Sequence, residues 1–114
     1  MNLVKVKNNQ VVTTSLHIAE VFEKQHKHVL EAIKNLVAES SAAKYFVEGV
    51  YENRGKEYPL YYMNRDGFTL IAMGFTGQKA LKFKLKYIEA FNEMENRLRQ
   101  RQIQQPAKRA RLNM

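Results

Sequence analysis

At 114 residues, 45% of them hydrophobic, the chain is long enough for one folded core and too short for two. It contains no cysteine, which excludes a disulfide framework and a thiolate metal site. No apolar run approaches the roughly 20 residues needed to cross a bilayer, and the first residues lack the pattern of a secretory signal. The formal net charge of +8 is unevenly placed. Arg97, Arg99, Arg101, Lys108, Arg109 and Arg111 follow residue 95 with no acid among them, whereas the 95 residues before them hold 13 basic and 11 acidic side chains. A basic chain suits a polyanionic partner. Here the folded part is nearly balanced, so charge alone leaves a solvated tail and a nucleic-acid arm both open.

In chain order, Leu3 to Lys7 alternates apolar and basic residues, and Val11-Val12-Thr13 follows Asn8-Asn9. Asparagine tolerates positive φ, so two short strands around a tight asparagine turn are expected. Thr14 and Ser15 offer N-caps for a helix over Leu16–Glu23, with Leu16, Ala19, Val21 and Phe22 as its apolar face. Lys24-Gln25-His26 breaks it. A second helix is expected over Lys27–Glu39, with Val29, Leu30, Ile33, Leu36 and Val37 at helical spacing. Two short helices separated by a few polar residues have the proportions of a helix-turn-helix.

Beyond Ser40-Ser41, Tyr45 to Tyr51 is rich in aromatic and β-branched residues, Asn53-Arg54-Gly55-Lys56 signals a turn, and Glu57 to Met63 returns. This is a hairpin with a basic tip. Pro59 has no N–H, which favours an edge strand or a bulge for the returning arm. Asn64 and Asp66 can accept from the free N–H groups of a helix start, and Gly74 ends that helix. Thr76 is then expected to cap a long helix running to about Arg101. Leu81, Leu85, Ile88, Phe91, Met94 and Leu98 recur along it at steps of three or four, the pattern of a buried face. Gln102 to Met114, with Pro106, clustered glutamine and basic residues, reads as a basic disordered tail after a domain of residues 1–101. The chain has no internal repeat.

The helix pair carries the first functional candidates. A recognition helix presents its N-terminal residues to the major groove. Gln25, His26, Lys27, His28, Glu31 and Lys34 occupy that place, with Lys27, Glu31 and Lys34 on one face opposite Val29, Ile33 and Leu36. An ordinary packed helical hairpin with a solvated face has the same pattern. Arg54 and Lys56 at the hairpin tip could lie across phosphates as the wing of a winged helix does, or form a plain solvated turn. Lys79, Lys82 and Lys86 align on the long helix while Lys84 points elsewhere, which suits a solvated face. Surplus apolar residues near Met94 and Leu98 suggest a homodimer through this helix.

Catalytic signals are weak. His26 and His28 are two apart and do not face the same way on a helix, and no carboxylate completes a ligand set with them or with His17. Ser40-Ser41 lies in no nucleophile elbow, and no glycine-rich phosphate loop is present. No enzyme activity, metal or cofactor is expected. Tyr45, Tyr51, Tyr58, Tyr61 and Tyr62 could stack on single-stranded nucleic acid, although strand alternation should turn at least half of them to the core.

The stretch RDGFTLIAMGFTGQKALKFKLKYIEAFNEME resembles the signature of the Rha family of phage regulatory proteins, and TTSLHIAEVFEKQHKHVLEAIKNL resembles that family's opening helix pair. The similarity covers roughly residues 10 to 96. It implies a phage or prophage regulator that binds double-stranded DNA in the cytoplasm of a bacterial host. The other function it leaves open is an antirepressor that binds a second regulatory protein. Many phage regulators carry a second domain after such a module, and a truncated form is compatible with the linker-like end. The expected fold is α+β: a helix-turn-helix, a small antiparallel β-hairpin in a winged-helix-like arrangement, and a long C-terminal helix.

Overall fold

The computed structural model describes residues 3–112, excepting the side chains of Ser40 and of residues 102–112. The fold is α+β. Strand β1 (Lys5–Lys7) and strand β2 (Gln10–Thr14) form a hairpin whose turn, Asn8-Asn9, has φ of 52° and 65°. Positive φ at both central residues is the type I′ geometry that matches the twist of the flanking strands. Helix α1 (Ser15–Val21) starts at once, with the Thr14 hydroxyl accepting from the backbone N–H of His17 at 3.1 Å. Of the two candidate caps, Thr14 takes that role and Ser15 is freed for another.

Helix α1 ends in a Schellman turn. Lys24 N–H donates to the Ala19 carbonyl at 2.8 Å and Glu23 N–H to that of Glu20, with Glu23 in the left-handed region at φ 58°. Helix α2 (His26–Val37) follows, one residue earlier than expected, and buries Val29 and Ile33. A short helix α3 (Ser40–Ala43) leads to strand β3 (Phe46–Asn53), the turn at Arg54 (φ 55°) and Gly55 (φ 78°), and strand β4 (Lys56–Met63). Helix α4 (Arg65–Ala72) is capped by Asn64, whose Oδ1 accepts from Gly67 N–H at 2.9 Å. Helix α5 spans Gln78–Leu112, and the position before it is Gly77 (φ 99°) rather than Thr76. The expected tail falls on residues whose side chains lie outside those described.

The two hairpins join into one antiparallel sheet of order β1-β2-β4-β3. The seam between them is short: only Thr13 opposite Met63 and Thr14 opposite Tyr62 pair across it. This explains how Pro59 sits in an interior strand. It lies opposite Val50 in β3, and β2 does not reach that far along β4. Tyr61, two residues on, directs its N–H away from β3 to Ser15. By strand alternation the missing N–H of Pro59 faces the same open side.

The core lies between the sheet and the helices and is built on aromatic rings. Tyr87 and Phe91 of α5 are fully buried. Phe68 sits 4.6 Å from Tyr87 between ring centroids, and Phe22 packs on Phe68, Phe75, Phe83 and Tyr87. Full burial of one such side chain contributes about 1.5–3 kcal/mol. The expected face of α5 is therefore corrected in its first half. Leu81, Leu85 and Ile88 are exposed, at 56%, 52% and 42%. Ala80, Phe83, Ala90, Met94 and Leu98 pack against the core beside Tyr87 and Phe91. Two apolar stripes run at helical spacing along this segment, and the one with more aromatic area takes the core. Met94 and Leu98 are not surplus.

The buried Ser15 hydroxyl accepts the Tyr61 N–H at 3.0 Å and lies 2.9 Å from His26 Nε2. The His26 ring meets Tyr51 edge-on at 5.9 Å. One side chain at the start of α1 thus ties β4, the first turn of α2 and, through His26, β3. Gly67 settles the other junction: a Cβ there would lie 2.9 Å from Met63 Cβ and 3.0 Å from the Tyr45 carbonyl oxygen. Helix α4 can only approach the sheet this closely with glycine at that position.

This packing generates four predictions. Replacing Ser15 with alanine leaves the buried Tyr61 N–H and His26 without a partner and should lower unfolding free energy in urea by about 1–3 kcal/mol. Burial holds the His26 pKa below its usual 6.5, so the unfolded chain takes up a proton there first and stability should fall as pH drops below that value; calorimetry of His26→Gln should show a weaker acid dependence. The Tyr87 hydroxyl, 3.2 Å from Thr13 Oγ1, is pushed by burial from 10 up to about 12. The neutral form is favoured in the fold, so its contribution holds below pH 10 and is lost as pH rises toward 12, and Tyr87→Phe should flatten the melting temperature across that window. Glu23→Gly removes a left-handed strain and an exposed ion pair with Lys79, and should raise stability by roughly 0.5–1 kcal/mol.

Candidate functional site

Helix α2 is amphipathic because its apolar residues recur at steps of three and four. Val29 and Ile33 face the core, and Lys27, His28, Glu31 and Lys34 are exposed, as is Gln25 just before the helix. Lys27, Glu31 and Lys34 share the outer face. The first turn carries no acidic residue, and Gln25 makes no side-chain cap. The N-terminal N–H groups of α2 therefore add their partial positive charge to that of Lys27.

His26 stands apart from the others. Its ring is partly buried, its Nε2 is taken up by Ser15, and it packs on Tyr51. It sets the position of α2 against the hairpin. The outward face is left to its neighbours.

Arg54 and Lys56 are both exposed at the hairpin tip. The I′ geometry that places them there uses Gly55 at φ 78° and forces Arg54 to φ 55°. Glu52 lies directly opposite Glu57 one step down the hairpin, which offsets part of the positive charge at the tip. The His26–Tyr51 contact brings the α2 N-terminus to within three residues of Arg54 along β3. The structure thus sets the exposed face of α2 and the hairpin on one connected frame.

On α5, Lys79 pairs with Glu23 at 2.7 Å. Lys82 and Lys86 are exposed, and Lys84 is partly buried in a cavity of about 150 Å³ with Phe68, Met73 and Ile88. Of the five hairpin tyrosines, Tyr61 is buried and Tyr45 packs partly on the core. Tyr51, Tyr58 and Tyr62 are on the opposite face of the sheet, so fewer than half face the core. Sequence reading also passed over Lys5, Lys7 and Lys44, whose ammonium groups lie over tyrosine rings. The Lys-Val-Lys alternation of β1 was the available signal.

Arg65 links the two ends of the long motif. Its guanidinium donates to both carboxylate oxygens of Glu95, at 2.7 and 3.3 Å, and to Asn92 Oδ1 at 2.6 Å, and lies 5.5 Å from the Phe91 ring centroid. A bidentate fork of this kind requires arginine.

Among the described residues no helix is long and apolar enough to cross a membrane. The family described as phage regulatory protein Rha matches residues 13–96, from the sheet seam to the Arg65 partners on α5. An uncharacterized protein of Haemophilus influenzae is 41% identical over 102 residues, covering 84% of this chain and 59% of its own length. An uncharacterized 22.8 kDa protein from the gp15-gp3 intergenic region of Salmonella phage P22 is 38% identical, covering 85% and 51%. A prophage-derived protein of Bacillus subtilis, whose name describes it as an antirepressor, is 31% identical, covering 82% and 40%. The chain spans about half the length of the curated relatives it matches. No solved structure matches it significantly. This chain belongs to the Rha family of phage regulatory proteins.

Proposed function

We propose that this phage regulatory chain is a non-enzymatic transcriptional regulator that binds double-stranded DNA in the cytoplasm of a bacterial host. The observation that carries the reading is the exposed outer face of α2. A helix with Val29 and Ile33 locked in the core offers Lys27, His28, Glu31 and Lys34 outward, next to a hairpin that carries Arg54 and Lys56 at its tip. In this reading α2 enters the major groove. The two hairpin cations contact phosphates, so affinity falls with added salt. His26 acts through Ser15 and Tyr51 to hold the two parts in register.

A second reading is favoured by the name of the Bacillus subtilis relative and by one surface. Met73, Leu81, Leu85 and Ile88 form an exposed apolar strip along α4 and α5. An antirepressor would use such a strip to bind another regulator, and a homodimer through α5 would use it in place of Met94 and Leu98.

A gel mobility shift with DNA from upstream of the chain's own gene, against random DNA at two salt concentrations, separates these readings. The regulator should bind its upstream DNA selectively, and Lys27→Ala with Lys34→Ala should weaken that binding at least about tenfold. Equal binding to both DNAs, insensitive to those substitutions, would transfer the assignment to the antirepressor.

A further inference from the structure

The strand register sorts charge between the two faces of the sheet. In an antiparallel pair, residues directly opposite share a face, and the face alternates along each strand. Glu48 lies opposite Tyr61 and Glu52 opposite Glu57, on the side that sends Phe46 and Met63 into the core. The other side carries Tyr51 opposite Tyr58, Val47 opposite Tyr62, and Asn53 opposite Lys56. Tyr62 is also opposite Thr14 of β2, and stepping back along β2 places Val12 opposite Lys5 and Gln10 opposite Lys7. Lys5, Lys7, Lys56, Tyr51, Tyr58 and Tyr62 therefore share one face, and every strand carboxylate is on the other.

The local geometry is that of a platform. The Tyr62 ring lies over Gly49, where a Cβ would come within 2.6 Å of Tyr62 Cε2. Lys5 and Lys7 place their ammonium groups 5.1 and 4.6 Å from the centroid of that ring. At the sheet margin Lys44 is 5.4 Å from the Tyr45 centroid. Lys7, Lys44, Tyr45 and Tyr62 line one cavity of about 70 Å³, and no carboxylate lines it. Lys5, Lys7 and Lys44 form no ion pair among the described residues. Further along β4, Tyr51 and Tyr58 stack on each other at 5.5 Å, and Tyr58 is 38% exposed.

We propose that this face of the sheet docks single-stranded nucleic acid, with Lys5, Lys7 and Lys44 on phosphates and Tyr62 and Tyr58 under bases. Cations without carboxylate partners call for an anionic partner. Aromatic rings on the same face call for one with π-faces of its own. A free phosphate would leave the tyrosines idle, and a double helix keeps its base faces stacked inside. Tyr58 and Tyr62 are four residues apart, about 13 Å along a strand at ~3.3 Å per residue, a span for a few nucleotides. The residues it uses, Lys5, Lys7, Lys44, Tyr58 and Tyr62, are not those of the outer face of α2, and the proposal does not depend on the double-stranded reading.

Fluorescence anisotropy of the full chain with a labelled oligothymidine of about 12 nucleotides tests it, with poly-glutamate as competitor. The triple variant Lys5→Ala, Lys7→Ala, Lys44→Ala should weaken binding roughly tenfold or more and lower its salt dependence. Tyr62→Leu should weaken it about fivefold or more, with Tyr58→Ala as the second stacking variant should Tyr62→Leu fail to fold by circular dichroism. Lys27→Ala with Lys34→Ala should leave this binding within about twofold. No binding, or binding unchanged in the lysine variant, overturns the proposal. So does binding that poly-glutamate competes equally well and that the tyrosine variants do not alter, since that describes an anion patch without base stacking.

Discussion

The Ser15 hydroxyl is the constraint on which the arrangement of this molecule depends. It sits with no exposure at the point where β2 becomes α1. From there it binds the backbone of β4 and the ring of the first residue of α2. The direction of α2 relative to the sheet is set by polar geometry as well as by apolar contact, and hydrogen bonds are the more directional of the two. Apolar packing alone would let the helix slide on its Val29-Ile33 face. The His26 bond and the Tyr51 edge contact fix both its start and its rotation.

A second constraint holds the other half. Arg65 at the start of α4 grips Asn92 and Glu95 on α5, while Phe68 and Tyr87 close the space between the helices. Gly67, the residue just before Phe68, lets α4 press on Met63 and the Tyr45 carbonyl. The long motif is thus one packing unit whose ends meet in space. That accounts for the appearance of Arg-Asp-Gly-Phe and Phe-Asn-Glu-Met-Glu together in one chain without any reference to a binding role.

Much of this was legible in the sequence where the cause is local. The Asn8-Asn9 turn, the Asn64 cap, the hairpin around Arg54-Gly55 and the inner face of α2 all follow from backbone preferences and helical spacing, and each appears in the structure. The misreadings share another origin. On α5 two apolar stripes compete, and the choice between them belongs to the aromatic rings of α1 and α4, distant in sequence. The union of the two hairpins and the second role of Ser15 likewise depend on partners far along the chain, which no window of neighbouring residues contains. At the candidate site the exposed face of α2 was readable from spacing. The inward turn of His26 was not, because its partners are Ser15 and Tyr51.

The narrow seam between the two hairpins has a kinetic meaning. Each hairpin, and the α1–α2 pair, closes over a short stretch of chain. The seam joins strands that the bond from Tyr61 to Ser15 shows to be 46 residues apart, and Tyr87 reaches back 74 residues to Thr13. Loop-closure entropy rises with the length of chain enclosed, so local elements are cheap to form early and these long-range links are the late, rate-setting ones. Two residue pairs and the Ser15 hydroxyl join the strands directly at the seam. On this ordering the open edge of β4 is expected to be among the last to find its partner, which it gains when Ser15 docks.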